Sequence, residues 1–409
     1  LLVCGLALMG FMTFTGALPS FDSQILAQRF VDGADNFPLL AVPFFLLAGE
    51  FMNAGGLSRR IVNLAMAWVG HFRGGLGYVA VLAAIIMASL SGSAVADTAA
   101  LSALLIPMMK QAGYQVNRSA GLIAAGGIIA PVIPPSIGMI IFGVAGNVSI
   151  TKLFLAGIVP GILMGVAIGI TWWWIARREN VRPAPRLGMA ERLKITGQGG
   201  FALALPVLIL GGMKFGVFTP TEAAVVAAVY SFVVGMFIYR ELKLRDLYAL
   251  VLSAGKTTAV VMFLVAAAMV SAWLITVANI PTEVANLLEP FQGNKTLLMF
   301  VIMVLIVVVG TALDFTPTVL ILTPVLMPVV LKAGIDPVYF GVLFIMNNAI
   351  GLITPPVGTV LNVVCGVAKI TMDDAFKGVM PFFLAQLAVL FLLVFFPEIV
   401  LVPLQWWMK

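Results

Sequence analysis

The chain is a succession of long apolar runs separated by short polar breaks. Phe37–Met52, Leu153–Ala176 and Val379–Val402 are examples. Each approaches or exceeds the ~20 residues that carry a helix across ~30 Å of hydrocarbon. The runs are continuous and lack the two-residue alternation of a membrane barrel strand, so the pattern predicts helices. Read along the chain, it predicts about ten or eleven spans plus two shorter re-entrant pairs. The first run begins at Leu1, without an initiator Met, so part of the first span is expected to precede that residue.

Composition points the same way. Of 409 residues, 62% are hydrophobic and 10% charged, whereas a soluble domain carries roughly a quarter charged residues. Apolar side chains in this excess need lipid as solvent. The net charge of +6 does not indicate nucleic acid, because the basic residues sit in short loops between spans. Arg177, Arg178, Arg182, Arg186, Arg192 and Lys194 form the most basic loop; Arg59–Arg60, Arg73, Lys110, Arg118 and Arg240–Lys243–Arg245 form others. Asp22, Asp32, Asp35, Glu283 and Glu289 lie in the opposite set. Basic short loops stay cytoplasmic. This places Arg177–Lys194 inside as a solvated loop, and Asp22–Asn36 and Pro281–Asn294 outside.

Two stretches resemble each other: Ile106–Pro160 and Met327–Pro381. Pro107 and Pro328, Ala112–Gly113 and Ala333–Gly334, Pro134–Pro135 and Pro355–Pro356, Gly157 and Gly378, and Pro160 and Pro381 are each 221 residues apart. Basic Leu57–Arg73 precedes the first copy and acidic Pro281–Asn294 the second, so the copies are expected to face opposite ways, a recurring transporter plan.

Four segments interrupt the helical pattern at matched places. Ser91–Thr98 and Gly310–Pro317 precede Pro107 and Pro328; Ile133–Ser136 and Thr354–Gly358 carry the Pro-Pro pairs. Proline removes an amide donor and blocks the bond four residues back. Carbonyls so freed at membrane depth must be buried in protein or line a cavity. Such carbonyls, with nearby hydroxyls, suit a hard alkali cation. The candidate sodium-binding residues are Ser91, Gly92, Ser93, Asp97 and Pro134 in the first copy. In the second they are Gly310, Thr311, Asp314, Thr316, Thr354, Pro355 and Gly358. Acidic residues in apolar surroundings are usually functional. For Asp97 a helix-capping role competes equally; for Asp314 function is favoured. Glu50 and Glu222, at span ends, read as interfacial caps. Trp172–Trp174 and Trp406–Trp407 read as aromatic belts, Cys4 and Cys365 as buried small hydrophobes, and His71 as a solvated interfacial residue. No phosphate-binding glycine loop, nucleophile elbow or metal-binding His/Cys cluster is present. An enzyme, including an intramembrane hydrolase, is therefore not expected.

With these residues in view, the sequence resembles the large membrane subunit of TRAP transporters, the tripartite ATP-independent periplasmic carriers. Phe37–Asn53, Gly92–Asp97, Pro134–Ile137 and Thr354–Gly358 carry the likeness. It runs from about Pro38 to the C-terminus. The resemblance implies an all-α integral membrane protein of the bacterial inner membrane. Its fold would be a polytopic helical bundle with two inverted repeats, each with a re-entrant hairpin and a broken transmembrane helix. The type is the elevator transporter of the ion transporter superfamily. The corresponding organisation is scaffold helices over 1–56, a first repeat over 57–176, a cytoplasmic basic loop over 177–198, scaffold helices over 199–280 and a second repeat over 281–409.

The resemblance further implies sodium-coupled uptake of an organic acid such as sialic acid, a C4-dicarboxylate or a keto acid. It implies two partners, a small four-helix membrane subunit and a periplasmic substrate-binding protein. No arginine or lysine lies in the four breaks, so a carboxylate substrate would meet sodium, hydroxyls and helix N-termini. Ser91, Ser136 and Asp314 are the candidates for binding it. A stand-alone sodium/anion symporter of the same architecture is the alternative.

Overall fold

The computed structural model describes residues 2–14, 16, 23–178, 185–291 and 293–408. Asp22, Arg182 and the side chain of Cys4 lie outside this description. Every regular element within it is helical. Two helices, α1 (Leu2–Phe14) and α2 (Ser23–Ala34), precede α3 (Ala41–Ala54) and α4 (Leu57–Val69). Then follow α5 (Gly75–Ser91), α6 (Ala94–Gln111), α7 (Val116–Gly127), α8 (Ile137–Ala145) and α9 (Ile150–Ala176). The middle of the chain forms α10 (Met189–Lys214), α11 (Pro220–Val233), α12 (Leu244–Val277) and α13 (Ile280–Leu288). The five-helix order then recurs as α14 (Lys295–Ala312), α15 (Phe315–Lys332), α16 (Pro337–Gly351), α17 (Thr359–Ala368) and α18 (Met372–Phe395), and α19 (Glu398–Met408) closes the chain.

Eight helical segments among the described residues are long and apolar enough to span a bilayer. Hydropathy alone suggests ten or eleven. The difference arises where apolar runs are cut below spanning length: α5, α16 and α17 are apolar but shorter. The cuts follow local chemistry. Gly92 adopts φ +63°, a left-handed conformation that ends α5. Pro-Pro pairs, with cis Pro134–Pro135 and Pro355–Pro356 bonds, separate α7 from α8 and α16 from α17.

The two five-helix sets pack crosswise. α6 lies on α17 of the other set, and α15 lies on α8; α7 lies on α18, and α16 on α9. At the α7–α18 crossing the backbones touch. A Cβ on Gly378 would fall on the Asn117 carbonyl, and one on Gly121 on Gly378 itself. Small residues allow this approach where apolar solvent offers no hydrophobic drive between helices.

The basic segments gather at one end of the bundle. Arg60 donates to Glu241 at 2.7 Å, Trp68 Nε1 to Thr196 Oγ1 at 2.9 Å, and Arg73 to the Arg177 carbonyl at 3.2 Å. Tyr114 lies 5.9 Å from Trp172, ring to ring. Arg192 is buried rather than solvated; its Nη2 lies 3.4 Å from His71 Nδ1. Trp172 is likewise no belt residue. It is fully buried and donates to the Gly74 carbonyl at 2.8 Å, while Trp173, Trp174 and Trp406 are exposed as expected. Cys365 is half-buried.

These contacts fix helix directions. The C-terminal end of α9, at Trp172, reaches the basic end. Its counterpart α18 begins there, beside Asn117 of α7. The C-terminal end of α18 lies at the other end, where the rings of Phe391 and Phe395 pack 5.1 and 6.1 Å from that of Phe300 of α14. α9 and α18 thus run in opposite directions. They cross near their middles, where Gln386 donates to the Met164 carbonyl at 3.1 Å.

Candidate functional site

Each hairpin tip is a helix end followed by a helix start. At the first, Ser93 is the N-cap of α6 and accepts from the Ala96 amide at 3.4 Å. Asp97 is therefore free of capping duty. It is buried, and its Oδ1 accepts a short hydrogen bond from Ser91 Oγ. Ser91 Oγ also accepts from the Ser93 amide at 3.1 Å. Asp97 Oδ2 and Thr98 Oγ1 are buried without a hydrogen-bond partner. At the second tip, Asp314 occupies the N-cap position of α15, yet its carboxylate makes no capping bond. Thr359 of α17 reaches its Oδ1 at 3.4 Å, and the carboxylate is otherwise exposed.

The breaks face the tips. A Cβ on Gly92 would fall on the Pro135 carbonyl oxygen, so the first tip abuts the first break at backbone distance. Phe315 of the second tip packs on Gly138, just past the same break; a Cβ there would come within 2.7 Å of its ring. Ser136 caps α8, accepting from the Met139 amide at 3.2 Å and donating a short bond to the Pro131 carbonyl. It is wholly buried. At the second break Thr354 donates to the Ile350 carbonyl at 2.9 Å, and Gly358 takes φ +40°.

A cavity of about 710 Å³ opens where these parts meet. Both tips line it, with Ser91, Gly92 and Ser93 from the first and Asp314, Phe315 and Thr316 from the second. Pro131, Ile137 and Gly138 come from the first break, and Leu352 and Thr359 from the second. Of the residues expected from sequence, Ser91, Gly92, Ser93, Asp314 and Thr316 thus share one cavity. Asp97 stands behind Ser91. Pro134 and Ser136 are buried behind the wall, and Gly310, Thr311, Thr354, Pro355 and Gly358 are not in the lining.

The remaining wall comes from helices outside the two sets: Phe45, Gly49, Glu50 and Asn53 of α3, and Thr257, Val260 and Leu264 of α12. Glu50 is no interfacial cap. It lies inside α3, faces the cavity, and accepts from Ser253 Oγ of α12 at 2.7 Å. Glu222, by contrast, does form a capping box with Thr219. A signal for Glu50 existed, since it is the one charged residue within Phe37–Met52. For Asn53 and Thr257 the sequence carried none.

A cavity between two opposed hairpin tips inside a helical membrane bundle is the architecture of a solute carrier. The family profile described as "Tripartite ATP-independent periplasmic transporter, DctM component" matches residues 1–399. The chain belongs to this TRAP large-permease family. It is 59% identical, over 99% of its length and 94% of the relative's, to the 2,3-diketo-L-gulonate TRAP transporter large permease protein YiaN of Escherichia coli. It is 38% identical to the sialic acid TRAP large permease SiaM of Vibrio cholerae, over 92% and 88% of the two chains. With the C4-dicarboxylate TRAP large permease DctM of Pseudomonas aeruginosa it shares 37%, over 93% and 89%. Among solved structures, the Alcanivorax borkumensis YdaH transporter aligns with TM-score 0.65 at 17% identity, covering 90% of this chain and 86% of that one. Neisseria gonorrhoeae MtrF aligns with TM-score 0.61 at 12%, covering 91% and 84%. These TRAP permeases are transporters, so the chain is a transport subunit and not an enzyme, and it is a multi-pass protein of the inner membrane.

Proposed function

We propose that the chain is the permease of a tripartite system that takes up an organic acid, driven by sodium. The observation that carries this reading is the convergence of both hairpin tips on one cavity walled by α3 and α12. Such a cavity is bounded on one side by the crosswise repeats, and on the other by helices outside them. An elevator stroke would move the first against the second. On this reading the antiparallel α9 and α18 are equivalents in inverted repeats, with 57–176 and 281–409 the moving parts and 1–56 and 199–280 the scaffold. The basic end would face the cytoplasm.

Sodium would be held by oxygens. Among the described residues no three His, Cys, Asp or Glu side chains converge. The first set is Ser91, Gly92, Ser93 and Asp97 with carbonyls about Pro134, where Asp97 Oδ2 is buried without a partner. The second is Gly310, Thr311, Asp314 and Thr316 with Thr354, Pro355 and Gly358. For substrate, Ser91 and Asp314 line the cavity directly, and Ser136 acts by holding the first break. Relatives named for 2,3-diketo-L-gulonate, sialic acid and C4-dicarboxylate support an organic acid, and the first favours a sugar-derived keto acid. A small membrane subunit and a periplasmic binding protein complete the system.

The test is uptake into proteoliposomes holding this chain and its membrane partner, with binding protein outside. An inward sodium gradient should drive accumulation. Equal uptake with the gradient replaced by potassium or protons refutes the coupling ion, and equal uptake without binding protein refutes the tripartite assignment.

A further inference from the structure

The cavity presents a charge problem. Its lining contains two ionisable side chains, Glu50 and Asp314, and no Lys, Arg or His. A carboxylate entering it meets two like charges in a poorly screened space. The two differ in setting. Asp314 stands at the start of α15, among N-terminal amides and the helix dipole. Glu50 lies in the last turns of α3, far from that helix's own N-terminus, and no Lys, Arg or His lines the wall beside it.

We propose that Glu50 is a specificity-determining residue: it accepts hydrogen bonds from the hydroxylated end of a monocarboxylate substrate and turns dicarboxylates away. This rests on the transport reading above and deepens it. One oxygen of Glu50 accepts from Ser253 at 2.7 Å, which holds the side chain against α12 and leaves the other oxygen for a ligand. Its neighbours complete a polar patch. Thr257 donates to the Ser253 carbonyl at 3.2 Å, so its hydroxyl oxygen can accept from a ligand. Asn53 Oδ1 takes a short bond from Ser58, so its amide N–H groups can donate. Glu50 and Thr257 accept there and Asn53 donates, a set met by O–H groups, which do both, whereas a second carboxylate would meet Glu50 unpaired. The tip beside this patch is the first, since Gly49 packs against Ser91. The acid head of the substrate would lie at the tips, and its hydroxyls at the α3–α12 wall.

Three six-carbon acids separate the possibilities: gluconate, hexanoate and adipate. Equilibrium binding to the purified full-length permease at one fixed sodium concentration reads the cavity itself, without the binding protein's selectivity and without a driving gradient. Gluconate should bind at least about tenfold tighter than the other two, the weight of one charge-assisted hydrogen bond. Glu50→Gln should weaken gluconate about tenfold, leave hexanoate unchanged and narrow the penalty against adipate. Ser253→Ala keeps the carboxylate and should cost gluconate less than Glu50→Gln does. Equal loss of gluconate and hexanoate in Glu50→Gln would mean that Glu50 only braces α3 against α12, and would overturn the proposal. So would a parent protein that binds adipate or hexanoate as well as gluconate, or none of the three. Failure here with intact sodium-driven uptake leaves the transport reading standing, because the two measurements share no readout.

Discussion

Replacing Ser91 by alanine tests how the first hairpin tip is held. The Ser91 hydroxyl serves two partners: it donates to Asp97 Oδ1 and accepts from the Ser93 amide at 3.1 Å. Asp97 Oδ2 already lacks a partner. Ser91→Ala would therefore leave a buried carboxylate with no hydrogen bond and strand one amide. Each orphan costs about 1–3 kcal/mol, so with two the tip should lose roughly 2–6 kcal/mol. Asp97→Asn leaves a buried amide for Ser91 to pair with, at a smaller cost. In the double variant the Ser91–Asp97 bond is lost only once, so it should be less damaged than the two single losses together, by at least about 1.5 kcal/mol. Two readouts are needed: melting in lipid nanodiscs, and the sodium concentration for half-maximal uptake per folded molecule. Sodium affinity should fall about tenfold to hundredfold in Ser91→Ala, the range for one charge-assisted bond. Additivity within about 0.5 kcal/mol in both readouts would refute the coupling. Unchanged sodium dependence beside a lowered melting point would reduce Ser91 to a structural tie.

Asp314 and Ser136 should behave oppositely. Asp314→Ala removes an exposed carboxylate with one long contact, so transport should fall strongly while melting moves little. Ser136→Ala strips a wholly buried cap of two bonds and should lower the melting point by the loss of about 1–2 kcal/mol; the reverse pattern in paired uptake and melting assays would refute this placement. A cysteine at Gly188 should resist an impermeant thiol reagent applied to intact cells, and labelling from outside would overturn the assigned orientation.

Much of this was legible in one dimension. Membrane class follows from apolar run length, and the tips and breaks follow from Gly, Ser, Asp and Pro-Pro, whose backbone effects are local. Local chemistry therefore located Ser91, Ser93, Asp314 and Thr316, which do share the cavity. The gathering of Arg60, Arg73 and Arg177 at one end follows equally from charge, which must stay at the membrane surface.

What only the tertiary structure decided is lateral. In lipid, a face turned to a neighbouring helix and a face turned to acyl chains are both apolar, so periodicity does not tell them apart. The lone charge in the run Phe37–Met52 marks Glu50, but nothing there says that its partner is Ser253 some two hundred residues on. Nothing local separates Ser91, at the cavity, from Ser136, behind its wall; both are small hydroxyl residues at a break. The same holds for Trp172, whose indole fills the interior beside Gly74 while Trp173 and Trp174 turn outward. The amino-acid sequence by itself determined which segments lie in the membrane and where their helices stop, because those are properties of solvent transfer and of the backbone. The crosswise packing of α6 on α17 and α15 on α8 decided which oxygens meet, because close approach between helices depends on shape matched across distant parts of the chain.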